Sequence, residues 1–213
     1  SVVNALSSNL KVQVYKGGKV YRQEYSKGKV KSKVKIEKCS KNMKGTEITF
    51  LPDETIFDVT TYDPKKLYNF IKMKSVLVGG TTITFEIDKE LINDKTPNKK
   101  DFYYKNGIED FFKIEYSNKN KLFEKNFSLK NSLNQNENFE VYISFNMNES
   151  SSLQSYCNTI ETPDGGSHEI GVKNGLIKAI KLYGQKNQIS KINNINQNDL
   201  IDFSDVIISI FIN

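Results

Sequence analysis

Val2, Val3 and Leu6 fall on one face of a short helix, and no N-cap precedes Ser1, so this helix is expected to begin ahead of the first residue. At Leu10 the period changes to two. Leu10, Val12 and Val14 alternate with polar residues up to Gly17-Gly18, a two-residue loop that accepts the positive φ angles of a tight hairpin. A lysine-rich return through Val34 and Ile36 leads to Gly45-Thr46-Glu47-Ile48-Thr49-Phe50, a strand with Ile48 and Phe50 on one face and Pro52 at its end. Asp63-Pro64 pairs an N-cap with a first-turn proline. Leu67, Phe70 and Ile71 then give the apolar stripe of a helix that stops before Gly79-Gly80. Ile83, Phe85 and Ile87 alternate as a strand. The polar, lysine-rich residues 88–100, with Pro97 among them, mark an expected domain boundary, placed after residue 95.

The second half repeats this mixture. Phe102-Tyr103-Tyr104 enters a helix with Ile108, Phe111 and Phe112 inward, followed by an Asn-rich segment. Phe139, Val141, Ile143, Phe145 and Met147 alternate over the longest such run, and residues 153–160 are expected to be their strand partner. A Pro163-Asp164-Gly165-Gly166 turn precedes a helix with Val172, Leu176, Ala179, Ile180 and Tyr183 on one side. Residues 206–212 are almost unbroken apolar residues, as a strand covered on both faces requires. The fold class is α+β, in two domains, residues 1–95 and 96–213.

Composition narrows the function classes. The chain of 213 residues is 37% hydrophobic, with 13 Phe and 11 Tyr, which is enough to fold, although a mean hydropathy of -0.54 makes it a polar globule. No stretch reaches the roughly 20 apolar residues of a membrane span, and the opening lacks a basic flank, so neither signal peptide nor anchor is expected. Lys and Arg exceed Asp and Glu by 31 to 25, a net +6 that permits a polyanionic partner without demanding one. Cys39, Cys157 and the single histidine, His168, carry no metal-ligand spacing, so reduced thiols and no metal site are expected. His168 has no oriented nucleophile and is assigned no catalysis. Asp164-Gly165-Gly166 reads as a turn in preference to a phosphate loop, and the lysines of residues 27–44 as a solvated hairpin face.

The order of six strings is more specific. Ser1-Val2-Val3-Asn4-Ala5-Leu6-Ser7, Lys19-Val20-Tyr21-Arg22-Gln23-Glu24-Tyr25 and Gly45-Thr46-Glu47-Ile48-Thr49-Phe50-Leu51-Pro52 resemble the ATPase region of the DNA gyrase B family. The likeness continues through Phe102-Tyr103-Tyr104-Lys105-Asn106-Gly107-Ile108, Phe145-Asn146 and Asp164-Gly165-Gly166-Ser167-His168. It implies the later part of a GHKL (Bergerat) α/β sandwich followed by a split βαβ transducer domain. The family's catalytic glutamate, magnesium-binding asparagine and adenine-binding aspartate stand earlier than residue 1, and its Gln-Thr-Lys loop later than residue 213. No catalytic residue is therefore assigned here, and the chain alone is expected to be inactive.

Carried over position by position, the resemblance assigns Gly45, Thr46, Ser1, Asn4 and Lys16 to ATP, and Lys173 and Lys178 to DNA. Lys16 stands where relatives often carry arginine, and a lysine is a point charge, not a planar fork. Residues 199–204, Asp-Leu-Ile-Asp-Phe-Ser, depart from the family's Arg-Glu-Gly-Leu. Implied cofactors are ATP and Mg2+. Implied partners are duplex DNA, the gyrase A subunit and a second copy of the B subunit in an ATP-dependent homodimer, with no membrane. The compartment would be cytoplasmic beside the nucleoid, or a plastid. The paralogous topoisomerase IV subunit is the near alternative. A mismatch-repair or chaperone ATPase is disfavoured by Tyr-Tyr-x-x-Gly-Ile and Gly-Gly-Ser-His, and a plain nucleic-acid-binding module by the core-like positions of Phe139, Phe145 and Phe203.

Overall fold

Gly17 and Gly18 both take positive φ, 62° and 73°, and so close the tight hairpin their sequence anticipates. They belong to a computed structural model that describes residues 1–116, 120–132, 134, 137–147 and 151–213, with only the backbone of Asn193. The Asn-rich segment expected after Phe112 lies partly outside the described residues. Two compact units result, Ser1–Asp63 and Pro64–Asn213.

The first unit runs α1 (Val2–Ala5), β1 (Ser7–Lys16), β2 (Lys19–Ser26), β3 (Lys29–Val30), β4 (Lys35–Lys38) and β5 (Gly45–Pro52). The strands lie in the order β3-β2-β1-β5, with β4 also on β2. Registers such as Val14↔Tyr21 and Val12↔Ile48 make β1 central, and Leu10 and Val20 are buried. Ile48 and Phe50 stay exposed, at 59% and 43%, because β5 is an edge strand with that face uncovered within the unit.

The second unit begins with α2 (Pro64–Leu77), β6 (Ile83–Glu86), a 3₁₀ turn (Lys89–Leu91), β7 (Lys99–Phe102) and α3 (Ile108–Glu115). It continues with β8 (Phe127–Ser132), β9 (Asn138–Phe145), β10 (Ser152–Cys157), β11 (Ile160–Glu161), α4 (Ser167–Lys186), a second 3₁₀ turn (Ser190–Asn194), α5 (Gln197–Ile201) and β12 (Ser204–Phe211). Proline opens α2, as expected, but Phe70 is 58% exposed, and Leu67, Tyr68, Ile71 and Met73 form the packed side. β6 and β7 pair as one hairpin, Ile83↔Phe102, and join α2 and α3 in one core. The compact units accordingly part after Asp63, ahead of the boundary placed after residue 95.

The large sheet has the order β11-β10-β12-β9-β8. Residues 153–160 therefore do not pair with β9. β12 lies between, parallel to β10 (Leu153↔Val206) and antiparallel to β9 (Val206↔Ile143). The reason is solvation: Val206, Ile207 and Ile208 are at most 1% exposed, and a strand apolar on both faces is most stable at the centre. β10, α4 and β12 make a βαβ unit. Val172 and Leu176 of α4 pack on Val141, Ile143, Val206 and Ile208, whereas Ala179 and Tyr183 point to solvent. The inner face follows a spacing of four through Ile180 to buried Gly184, which rotates Ala179 and Tyr183 off it.

Candidate functional site

The residues assigned to nucleotide occupy two ends of the first unit. Gly45 opens β5 at φ 128°, where a side chain would be strained, opposite Tyr15. Thr46 is exposed opposite Val14, and exposed Lys16 ends β1, so these three stand together. Beside them Tyr15 donates to Glu47 Oε2 at 3.2 Å, and burial together with this bond pushes its phenol up. Ser1 and Asn4 lie at the other end, before Ser7. Val14 lies seven residue steps along the strand from Ser7, roughly 23 Å at 3.3 Å per residue, so the structure does not bring the two groups onto one point.

At the Asn4 end, the Asn4 carbonyl accepts from Gly28 N at 3.0 Å. Its Oδ1 is buried with no hydrogen-bond partner among the described residues. An apolar cavity of about 300 Å³ lies at this end, lined by Val2, Val3, Leu6, Phe50, Phe57 and Val59 among others, and not by Gly45, Thr46 or Lys16.

Asp53, which sequence reasoning passed over, is buried where β5 ends. Lys27 Nζ lies 2.7 Å from its Oδ2, and Thr55 donates to Oδ1 from N at 3.1 Å and from Oγ1 at 2.9 Å. The Lys27 ammonium first, and the Thr55 bonds with it, hold the Asp53 carboxyl below its usual range. The readable signal was Asp-x-Thr after a strand-ending proline, an Asx-turn pattern. Because the folded value is depressed, this stabilisation is complete above the unfolded pKa of about 3.9 and is lost as pH falls through the folded value. As pH falls below about 4, wild type should lose stability more steeply than Asp53→Asn, measured by urea unfolding at fixed pH steps.

The residues assigned to DNA are also separated. Lys173 lies 3.6 Å from Glu169 Oε2, and Glu169 Oε1 accepts from Ser155 Oγ at 2.5 Å. Ser155 also meets Thr162 Oγ1 at 2.5 Å, and Thr162 meets His168 Nε2 at 3.2 Å. His168 packs on the turn: a Cβ on Gly166 would come within 2.8 Å of its ring. Lys178 is exposed five residues further on, about 140° around the helix at 3.6 residues per turn, so Lys173 and Lys178 do not share a face. Asp205 is fully buried in β12 and accepts from Asn146 Nδ2 at 2.8 Å and Ser152 Oγ at 2.6 Å. A lone carboxylate in an apolar run was its signal. Among the described residues, no group of His, Cys, Asp and Glu could hold a metal ion, and no helix is long and apolar enough to cross a membrane.

The family described as DNA gyrase B matches residues 107–213, half of the chain. The B subunit of DNA topoisomerase 4 from Rickettsia felis is 37% identical over 215 residues, covering all of this chain and 32% of the relative. The B subunit of DNA gyrase from Enterococcus faecalis is 36% identical over 195 residues, covering 91% of this chain and 29% of the relative. The chain thus spans about a third of the length of these curated relatives. Among solved structures, the topoisomerase IV ATP binding domain of Francisella tularensis has a TM-score of 0.76 at 28% identity, over all of this chain and 56% of that one. The 43K ATPase domain of Thermus thermophilus gyrase B, in complex with an aminocoumarin, has 0.71 at 26%, over all of this chain and 57% of that one. The mixed α/β architecture is that of these ATPase domains, and the chain belongs to the DNA gyrase B family.

Proposed function

We propose that the chain is part of the ATPase subunit of DNA gyrase, a bacterial type II topoisomerase that couples ATP binding and hydrolysis to DNA strand passage, with topoisomerase IV as the alternative enzyme. The observation that supports it best is the family match over residues 107–213, which takes in the β8–β12 sheet and α4, alongside whole-chain similarity to two ATPase domains. In this reading the GHKL part gives way to the transducer near residue 95, between the close of the first compact unit at Asp63 and the start of the family match at Gly107. The partners are the gyrase A subunit, duplex DNA and a second copy of the B subunit, in the cytoplasm. ATP and magnesium are the cofactors, held largely by residues outside this chain. Thr46 offers an exposed hydroxyl to the nucleotide base edge, with Gly45 beside it and Lys16 as a nearby cation. Ser1 and Asn4 serve a different group of the nucleotide, since they stand at the far end of β1. The intact ATPase subunit, mixed with the DNA-cleaving gyrase A subunit and plasmid, tests the reading. ATP-dependent supercoiling identifies gyrase, ATP-dependent relaxation or decatenation without supercoiling identifies topoisomerase IV, and no ATP-dependent change in DNA topology refutes both.

Two residue-level results are expected from the intact ATPase subunit. Thr46→Val should weaken nucleotide binding by about 0.5–1.5 kcal/mol, the net worth of one hydrogen bond, as read by calorimetry. Unchanged affinity would remove Thr46 from the site. Lys173→Ala and Lys178→Ala should each lower the salt slope of DNA binding by about one unit, without changing sequence preference, because each ammonium neutralises a phosphate and reads no base. Their positions on two sides of α4 make the two losses additive, and a flat response from either excludes that lysine.

A further inference from the structure

The turn between β10 and β11 is strained, and it is held from two sides. Cys157↔Ile160 closes a two-residue hairpin whose central residues, Asn158 and Thr159, both take positive φ, 49° and 66°. Such a turn normally carries Asn-Gly, and a β-branched residue in the left-handed region is an outlier that persists only where its surroundings over-determine it. On one side is β12. Asn158 Nδ2 donates to the Ile212 carbonyl at 3.0 Å, Ile212 N donates to Asn158 Oδ1 at 3.0 Å, and Asn158 N donates to the Ile210 carbonyl at 2.9 Å. On the other side is α2: Lys74 Nζ donates to the Thr159 carbonyl at 2.5 Å and to Thr159 Oγ1 at 3.1 Å. A cavity of about 890 Å³ is lined by Phe70 and Met73 of α2 and by Tyr156, Thr159 and Ile160 of the hairpin, so the Lys74 ammonium bridges a gap between these elements.

We propose that Lys74 is a positioning residue that ties α2 to the end of β12 through the Asn158–Thr159 turn. The bonds form one unbroken line, from the ammonium to the Thr159 carbonyl, across one peptide unit to Asn158, and from its amide to both backbone groups of Ile212. A charge-assisted bond at a strained turn suits this role, because losing it releases the strain as well as the contact. The consequence for activity rests on the topoisomerase reading, in which α2 belongs to the nucleotide-binding part and β12 to the transducer. The tie itself does not depend on that reading.

Two measurements on the intact ATPase subunit separate the two. In Lys74→Met, which keeps the length and removes the donor, amide hydrogen exchange should quicken by about tenfold at residues 158–160 and at 210–212, while Lys74→Arg, which can still donate to the carbonyl, keeps wild-type rates. Unchanged exchange at 210–212 in Lys74→Met overturns the tie. If that variant does not fold, Asn158→Ala cuts the same line at an exposed side chain and should quicken exchange at 210–212, and unchanged exchange there overturns the tie equally. With the gyrase A subunit and DNA present, Lys74→Met should lower kcat for ATP hydrolysis about tenfold with KM within about twofold, and Lys74→Arg should restore it. Wild-type kcat in Lys74→Met overturns the positioning role. Absence of ATP-dependent strand passage by the wild type refutes the topoisomerase reading instead, and leaves the exchange measurement as the test of the tie.

Discussion

Phe112→Ala is expected to destabilise the Pro64–Asn213 unit by about 3–5 kcal/mol, the range for truncating a fully buried aromatic ring. Phe112 is 1% exposed on the inner face of α3, with ring centroids 4.6 Å from Tyr116 and 5.8 Å from Tyr142. Its core cluster also holds Phe85, Phe102 and Ile207, so the ring joins α3 to the β6–β7 hairpin and to the large sheet. Aromatic neighbours of fixed shape cannot collapse into the vacated space, which puts the expected loss toward the upper part of that range. The chain contains no Trp, so the transition is best followed by far-ultraviolet circular dichroism in urea. With a urea slope of about 1–3 kcal/mol/M, the midpoint should fall by more than about 1 M. Leu182→Ala, at a position 55% exposed on α4, should shift stability by no more than about 0.5 kcal/mol. Equal effects from the two substitutions would mean that Phe112 is not the keystone of this core.

Much of this core was readable in the sequence because it is written in local periods. Ile108, Phe111 and Phe112 are spaced for one helix face, and all three are buried. The nearly unbroken apolar run at residues 206–212 called for a strand covered on both sides, and β12 is the centre of its sheet. Pairing order was not readable. Residues 153–160 alternate as well beside β9 as beside β12, and only the competition of three strands for one centre decides between them. Phe70 shows the limit of a stripe read from three positions: Tyr68 takes the inward place, set edge-on to Phe85 and Phe102.

The site was less legible, for a physical reason. Gly45 and Thr46 carry no local signal beyond a turn and a β-branched strand start, and only the order of distant strings assigned them a role. Lys173 and Lys178 looked alike as exposed helix lysines, yet Glu169 holds one of them and the helix turns the other away. Asn146 meets Asp205 across 59 residues, and Lys74 meets Thr159 across 85. Contacts at such separations are made by topology, and no window along the chain contains both partners.

Gly107→Ala is expected to cost about 2–5 kcal/mol, although it adds only one methyl group to a loop and would be harmless in most. Gly107 caps α3 at φ 60°, and an L side chain in that left-handed region costs about 1–2 kcal/mol. The added Cβ would also stand 2.8 Å from the Val76 carbonyl oxygen, which is backbone of α2 and cannot swing aside as a side chain does. Relieving such a contact by shifting the backbone costs about 1–3 kcal/mol more. Gly79 faces the same approach from the other side, with its own Cβ position 2.8 Å from Gly107 N, so the end of α2 and the start of α3 meet backbone to backbone. A shift there would displace Phe111 and Phe112, which the same helix holds in the core. Gly171→Ala supplies the contrast. Gly171 lies inside α4 with nothing near its Cβ position, so the substitution should raise stability by about 0.8–1.0 kcal/mol through helix propensity alone. The two variants, each one methyl larger than wild type, should move the urea midpoint in opposite directions. A Gly107→Ala midpoint at or above wild type would mean that the α2–α3 junction has room for a side chain, and that the close approach of Gly79 and Gly107 is not what sets the position of α3.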